Sequence, residues 1–108
     1  MRELLIEKFE APTEVDSDGA MYWKNDIGEF HHDRDRPAVI YVDGTKQWYK
    51  NGELHRDRDK PAVIWADGTR VWYKNGILHR DRDKPVVIRA NETKEWWKNG
   101  EFIKIEYT

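Results

Sequence analysis

Four regularly spaced prolines constrain the fold of this chain more than any other feature. They are Pro12, Pro37, Pro61 and Pro85, at spacings of 25, 24 and 24 residues. The segments that they open are similar in sequence and cover residues 12–36, 37–60, 61–84 and 85–108. A constant period of roughly 20–50 residues is typical of repeat proteins, in which each copy packs on its neighbours. The sequence therefore predicts one domain of four tandem copies, preceded by a short N-terminal cap segment at residues 1–11.

The seven glycines occupy only two positions of this repeat. The first position holds Gly19, Gly44 and Gly68, and the second holds Gly28, Gly52, Gly76 and Gly100. Glycine at a constant position indicates a turn that needs a positive φ angle. Asp-Gly pairs, as at Asp43, and Asn-Gly pairs, as at Asn51, are preferred in two-residue type I′ hairpin turns. Each copy is therefore predicted to contain two such turns, and the fold to be all-β, an antiparallel meander of β-hairpins in a twisted sheet.

The segments between the turns have the composition of strands. Residues 62–65 are aliphatic and aromatic, which favours a strand, and Pro61 precedes them where a missing N–H is tolerated. Residues 69–74 are predicted to form one continuous second strand, in which Trp72 and Tyr73 face opposite sides. Residues 77–79 supply a short third strand. The last residues of the chain, 103–108, are also strand-like.

The first copy and the segment before it depart most from the pattern. Aligned with the second copy, the first lacks one residue after Gly19 and carries two extra residues, Asp26 and Ile27, before Gly28. In the N-terminal segment the apolar residues fit either one face of a helix or the alternation of a strand. Either form would cap the open first edge of the sheet, which otherwise invites pairing with another chain.

One pattern of the central copies resembles a known family of repeats. An aromatic-x-x-Gly-x-x-His pattern runs from Tyr49 to His55 and again from Tyr73 to His79, and an Asp-Gly pair precedes it each time. The pattern resembles MORN repeats, and more closely the divergent MORN-like repeats of bacterial, phage and large-virus proteins. The charged run after each histidine stands where MORN repeats have Gly-x-Gly. The resemblance, which covers residues 12–108, implies a scaffold or interaction surface built of β-hairpins.

Charge and composition argue against several classes of protein. The chain has 19 basic and 21 acidic residues, a net charge of −2, whereas a nucleic-acid binder is expected to have a strong basic excess. There is no cysteine, which excludes disulfides and thiolate zinc sites and favours a cytoplasmic location, since small secreted domains often need disulfides. No segment is apolar enough to span a membrane.

Aromatic residues recur at two adjacent positions of the repeat. In the alignment above, one position holds Tyr22, Trp48, Trp72 and Trp96, and the next holds Trp23, Tyr49, Tyr73 and Trp97. Adjacent residues of a strand face opposite sides, so each face of the sheet is expected to carry an aromatic stripe. The rings either form the core or leave one stripe exposed to a partner. The candidate partner-binding residues are Trp48, Trp65, Trp72, Trp96, Tyr49, Tyr73 and Arg70.

A charged run joins each of the first three copies to the next, at residues 31–36, 55–60 and 79–84. No such run follows the fourth copy, so the runs are predicted to be structural connectors whose Arg and Asp side chains pair between neighbouring copies. A shared metal site is not expected. Equivalent histidines would lie about 10 Å apart in a sheet with strands ~4.8 Å apart, whereas zinc ligands lie ~2 Å from the ion.

Three functional hypotheses follow, none of them catalytic. No nucleophile–base pair and no glycine-rich phosphate loop stand out, so neither an enzyme nor a cofactor is predicted. The first hypothesis is a protein-binding inhibitor or adaptor, for example a phage protein that antagonises a host defence factor in the host cytoplasm. The second is a protein that sequesters a small ligand such as a nucleotide, by aromatic stacking and by Arg70, Lys74 or Arg89. The third is a self-assembling structural protein, and a homodimer is compatible with all three.

Overall fold

A computed structural model describes residues 10–108 of the chain. Within these residues there are thirteen strands, β1 to β13, and no helix. In chain order the strands are Glu14–Val15, Met21–Tyr22, Val39–Ile40, Lys46–Gln47, Tyr49–Lys50, Glu53–Leu54, Val63–Ile64, Arg70–Val71, Tyr73–Lys74, Ile77–Leu78, Val87–Ile88, Lys94–Lys98 and Glu101–Glu106. The apolar residues of the predicted N-terminal cap segment lie outside the described residues. Nothing in residues 10–108 forms a helix of the length and apolarity that crossing a membrane needs.

Nine of the strands form one antiparallel sheet, and the other four form two separate hairpins. The order in the sheet is β1-β2-β3-β4-β7-β8-β11-β12-β13, and β5 pairs with β6 as β9 pairs with β10. The first two strands of each copy therefore enter the sheet, and the second hairpins of the central copies lie outside it. The predicted all-β antiparallel meander is confirmed, and the last residues form β13 as the strand-like sequence indicates.

The second strand of each central copy breaks at its tryptophan, whereas in the fourth copy β12 runs unbroken through Trp96. The N–H of Trp72 donates to the carbonyl of Val86 in the sheet at 2.8 Å, while the carbonyl of Trp72 accepts from the N–H of His79 in the second hairpin at 3.3 Å. Trp48 divides its bonds in the same way. The prediction of one continuous strand over residues 69–74 is wrong, because its two halves pair with different partners.

Both faces of the sheet carry part of the core. On one face Val63, Val71 and Val87 pack together, and the second hairpins cover them with Leu54, Tyr73, Leu78 and Trp97. On the other face Trp72 packs against Val86 and Ile88. Because consecutive side chains of a strand alternate between faces, Val87 belongs to the first cluster and its two neighbours to the second.

The two turns of each copy differ in type. Asn51 and Gly52 both have positive φ, 48° and 85°, and close a two-residue loop as a type I′ turn requires. In the Asp-Gly turn of the same copy only Gly44 has positive φ, 95°, and its N–H donates to the carbonyl of Tyr41 at 2.9 Å. This is a three-residue loop, so the type I′ prediction is wrong for the Asp-Gly turns.

Hydrogen bonds also correct the alignment of the first copy. The N–H of Trp23 donates to the carbonyl of Ala38 at 2.8 Å, as the N–H of Trp48 does to the carbonyl of Ala62 at 2.7 Å. Trp23 rather than Tyr22 is therefore the equivalent of Trp48. The first copy lacks no residue after its first turn, and its second turn is longer by one residue rather than two.

Candidate functional site

The charged connectors fold into tight turns that tryptophans of the following copy hold in place. The indole Nε1–H of Trp48 donates to the carbonyl of Asp35, and that of Trp72 to the carbonyl of Asp59, each at 3.1 Å. Asp59 and the preceding Arg58 have φ angles of 58° and 63°, a region that non-glycine residues occupy only where their surroundings hold them. Both indole rings are buried. Trp48 and Trp72 thus stabilise the connectors from inside.

An arginine of the next connector completes a clamp around each of these aspartates. The guanidinium of Arg80 lies 3.9 Å from the ring centre of Trp72 and donates to Asp59 at 2.7 and 3.1 Å. A third bond runs to the carbonyl of Pro85 at 3.0 Å, and Lys84 donates to the same Asp59 at 2.8 Å. In this clamp the guanidinium therefore stacks on one indole ring and donates hydrogen bonds to one carboxylate and one carbonyl oxygen.

The same clamp joins the first two connectors. Arg56 lies 3.7 Å from the ring centre of Trp48 and donates to Asp35 at 2.9 Å, as does Lys60. The hydrogen bond from Arg56 lowers the pKa of Asp35, and the bond from Lys60 adds to the effect. The pKa of Asp59 is lowered for the same reason. The predicted pairing of Arg and Asp between neighbouring connectors is confirmed at these two places.

The connector histidines link neighbouring second hairpins. His55 Nδ1 accepts a hydrogen bond from the N–H of Asn75 at 3.0 Å, and its Nε2 lies 2.8 Å from a carboxylate oxygen of Asp57. A backbone N–H group can only donate, so Nδ1 is the accepting nitrogen of the ring. Nε2 is then the nitrogen that donates to Asp57. His31 and His79 make the same two bonds. Residues 10–108 contain no group of three His, Asp or Glu side chains suited to a metal ion.

The first copy has a variant of the clamp. His32 stands where the later copies have arginine, and its ring stacks on Trp23 at 4.8 Å. Its Nδ1 lies 2.9 Å from the carbonyl oxygen of Pro37, and its buried Nε2 lies 3.5 Å from Glu10 without a hydrogen bond. The indole N–H of Trp23 donates to the carbonyl of Glu10 at 3.0 Å, so this copy keeps the indole bond of the clamp and has an imidazole in place of the guanidinium.

The fourth copy lacks the arginine of the clamp. Lys104 lies over the ring of Trp96 at 4.4 Å, and the indole N–H of Trp96 donates to the carbonyl of Asp83 at 3.0 Å. The carboxylate of Asp83 makes no ion pair within residues 10–108. Complete clamps occur only in the middle of the described chain.

A different edge of the sheet exposes large apolar side chains. It is formed by the first turns of the copies, residues 16–20, 41–45, 65–69 and 89–93, and we call it the turn edge. Trp65 is 48% exposed, Tyr41 38% and Val42 70%. Val42 reaches over the turn of the first copy, since a Cβ atom at Gly19 would lie 3.3 Å from its methyl group. Three exposed apolar side chains thus lie on the turn edge of the two central copies.

Trp65 lines an open groove of about 340 Å³ on this edge. Asp43, Asp67 and Arg89 line it as well. The two aspartates accept hydrogen bonds from the backbone N–H two residues later, at 2.9 Å each, and this bond lowers the pKa of Asp67. Arg89 donates to the buried Glu95 at 3.0 Å. The groove thus presents an aromatic ring and two carboxylates, together with an arginine that is already paired.

The outer copies carry bonded polar residues where the central copies expose aromatic rings. The position of Tyr41 and Trp65 is held by Asp16 in the first copy and by Arg89 in the fourth. Asp16 accepts a hydrogen bond from the hydroxyl of Tyr22 at 2.7 Å, which raises the pKa of Tyr22 to about 12. These bonded pairs flank the exposed aromatic region on both sides.

The predicted partner-binding residues lie in different environments. Trp48 and Trp72 are buried, so for these two the alternative interpretation as core residues is the correct one. Four others are half-buried, namely Tyr49, Tyr73, Trp96 and Arg70. Trp65 is exposed, as the first hypothesis requires of a contact residue.

Sequence reasoning missed part of the turn edge and favoured residues that are occupied elsewhere. Tyr41 occupies the same repeat position as Trp65 and was not predicted to bind a partner. Its exposure depends on which face of the sheet the second hairpins cover, and the sequence does not show which face that is. Of the basic residues in the nucleotide hypothesis, Lys74 lies 3.6 Å from Asp81 and Arg89 is paired with Glu95. Those two are therefore engaged within the chain.

Comparisons with known proteins identify no relative. No family model matches the chain, and no curated protein and no solved structure matches it either.

Proposed function

We propose that this chain is a non-catalytic recognition module that binds a protein partner through the turn edge, with Trp65 and Tyr41 at the centre of the contact. The observation that carries the proposal is the exposure of two aromatic rings at equivalent positions of neighbouring copies. Tryptophan and tyrosine are the residues on which protein interfaces most often depend. In the role of inhibitor or adaptor, the module acts by covering a surface of its partner.

The contrast with the other tryptophans supports this assignment. Trp48 and Trp72 are buried and bonded through their indole N–H groups, whereas no hydrogen bond of the Trp65 indole occurs within residues 10–108. Clustered exposed apolar groups mark interaction sites more often than scattered ones do. The sequence resemblance to MORN-like repeats, which implies an interaction surface, supports the same function.

The proposal is tested with a double variant, Trp65→Ala with Tyr41→Ala, immobilised beside the wild type and used to capture proteins from cell extract. The control is Ile27→Ala, which removes a more exposed apolar side chain from the second turn of the first copy. We expect one protein to be captured by the wild type and the control and lost with the double variant. Equal capture by all three would contradict the proposal.

The edge strand β13 supports a second candidate function, self-assembly. It is the last strand of the sheet and exposes Phe102 and Ile103, and an uncovered edge strand pairs readily with another chain. Light scattering over a concentration series tests this function. Mass that rises with concentration in the wild type, and not in Ile103→Lys, supports it. A constant monomer mass excludes it.

A further inference from the structure

We infer that the groove beside Trp65 binds a basic side chain of the partner, a guanidinium or ammonium group. The inference rests on the proposed function, because it names the chemistry of the partner at the turn edge. It follows from three observations on this edge: its charge, the contents of the groove, and the way in which the chain binds its own arginines.

The turn edge is acidic although the whole chain is nearly neutral. Its four segments contain five acidic residues, Asp16, Asp18, Asp43, Asp67 and Glu92, and one basic residue, Arg89. The net charge of these segments is −4, whereas the chain of 108 residues carries −2. A surface of one sign attracts groups of the opposite sign and repels like charges. The turn edge therefore favours a basic partner.

Within the groove the charge is also negative. Two carboxylates, Asp43 and Asp67, and one guanidinium, Arg89, line the groove, a net charge of −1. Arg89 is bonded to Glu95, and the pKa of Asp67 is lowered by the backbone and side-chain bonds from Thr69 and also by the charge of Arg89. The side chains of Asp43 and Asp67 are exposed, and each accepts a backbone N–H. A carboxylate accepts about four hydrogen bonds in total. The groove can therefore accept further donors beside an open indole ring.

The clamps show how the same chain binds guanidinium groups. Arg56 and Arg80 each stack on an indole ring while a carboxylate accepts their N–H groups. Trp65, with Asp43 and Asp67, offers the same kinds of group to solvent, and no cation of residues 10–108 lies over its ring. Tryptophan is the aromatic residue that attracts cations most strongly. An arginine or lysine of the partner would stack on Trp65 and donate to a carboxylate beside it, as Arg80 stacks on Trp72 and donates to Asp59.

The first test uses the full chain labelled with ¹⁵N and two short peptides, acetyl-Gly-Arg-Gly-Arg-Gly-amide and its citrulline counterpart. Citrulline has nearly the shape of arginine without its charge. We expect the arginine peptide to shift the indole N–H signal of Trp65 and the amide signals of Thr45 and Thr69, which donate to the two carboxylates. Equal shifts with the citrulline peptide would overturn the inference.

The second test removes the charge and keeps the turns. In the double variant Asp43→Asn with Asp67→Asn, each amide oxygen still accepts the backbone N–H. We expect roughly tenfold weaker binding of the arginine peptide, because the charge-assisted bonds are lost. The control is Asp26→Asn with Glu101→Gln, which removes two exposed carboxylates outside the turn edge. Equal weakening by the control would show that only net charge matters and would overturn the site.

Capture of the protein partner separates this inference from the proposed function. If Asp43→Asn with Asp67→Asn retains a partner that Trp65→Ala loses, the inference fails and the proposed function stands. If both variants lose the partner and the control retains it, the inference is supported. If neither variant loses it, both proposals fail.

Discussion

The connector histidines hold neighbouring copies together through single side chains. His55 accepts from the backbone of Asn75 with one ring nitrogen and donates to Asp57 with the other. We expect His55→Ala to lower the free energy of unfolding by about 1 kcal/mol, because the largely buried ring is lost together with the hydrogen bond that it accepts from the exposed Asn75 N–H. Urea denaturation measures the change. Asp57→Ala, which removes only the exposed partner, should cost clearly less, and an equal cost would contradict the bridging role of the ring.

Asp59 and Asp83 stand at the same position of successive connectors, but only Asp59 is clamped. We expect Asp59→Asn to lower the free energy of unfolding by about 1 kcal/mol at neutral pH, a modest value because solvent screens this partly exposed carboxylate. Asp83→Asn, the matched control, should change it little, since Asp83 makes no ion pair within residues 10–108. Urea denaturation of both variants tests the difference, and equal losses would contradict the clamp.

The same pair of variants tests the sign of the pH dependence. Arg80 lowers the pKa of Asp59 in the folded chain below the value of about 3.9 expected in the unfolded chain. The contribution of this carboxylate is therefore present above about pH 4 and is lost as the pH falls further through the folded pKa. The free energy of unfolding of the wild type should fall more steeply below about pH 4 than that of Asp59→Asn. Asp83→Asn should keep the wild-type profile.

At the scale of elements, the first turn of the fourth copy is strained. Glu92 stands where the other copies have glycine, and its φ is 71°. We expect Glu92→Gly to raise the free energy of unfolding by roughly 0.5–1 kcal/mol, because a left-handed conformation costs a non-glycine residue about 1–2 kcal/mol and the freedom of glycine in the unfolded chain offsets part of the gain. Thermal denaturation measures it.

The matching change in the opposite direction is Gly68→Ala. Gly68 has a φ of 93° and open space where a Cβ atom would stand, so the substitution tests backbone strain without a steric clash. It should lower the free energy of unfolding by about 1 kcal/mol. A destabilised Glu92→Gly variant would contradict the assignment of strain to this turn.

The sequence predicted the strands and turns better than it predicted the hydrogen bonds between them. Glycine positions and alternating apolar residues located the turns, because both depend on the local backbone. The break at Trp72 was missed, since it arises when one residue bonds to the sheet with its N–H and to the second hairpin with its carbonyl. The equivalence of Trp23 and Trp48 was missed for the same reason, as only the hydrogen bonds reveal it.

The candidate site was predicted in part. Trp65 was among the candidate partner-binding residues, and it is exposed. Trp48 and Trp72, at the recurring aromatic position, were named with it, and their burial depends on the connectors that fold over them. Asp43 and Asp67 were assigned to turns alone, and their position beside Trp65 follows from how neighbouring turns lie in the sheet.

At the scale of the whole molecule, the copies are joined by clamps that repeat along the sheet and are complete, within residues 10–108, only at Asp35 and Asp59. The clamps at Asp35 and Asp59 join the first connector to the second and the second to the third. The first copy has His32 in place of the arginine, and its Nε2 makes no hydrogen bond. In repeat proteins each copy is stabilised mainly by its nearest neighbours. A copy with one neighbouring copy within residues 10–108 should therefore open more often than a copy with two.

Native-state hydrogen exchange tests this order on three equivalent amides. The N–H groups of Trp23, Trp48 and Trp72 each donate to the carbonyl of the residue that directly precedes a sheet strand of the following copy. We expect the Trp48 amide, between the two central copies, to exchange most slowly, and the Trp23 amide to exchange fastest because the first copy lacks the arginine clamp. Local opening raises exchange above the rate set by global unfolding. Asp59→Asn, which removes the clamp between the second and third connectors, should speed exchange at Trp48 most. Equal rates at all three amides would mean that the copies unfold only together and would contradict a local stabilising role of the arginine clamps.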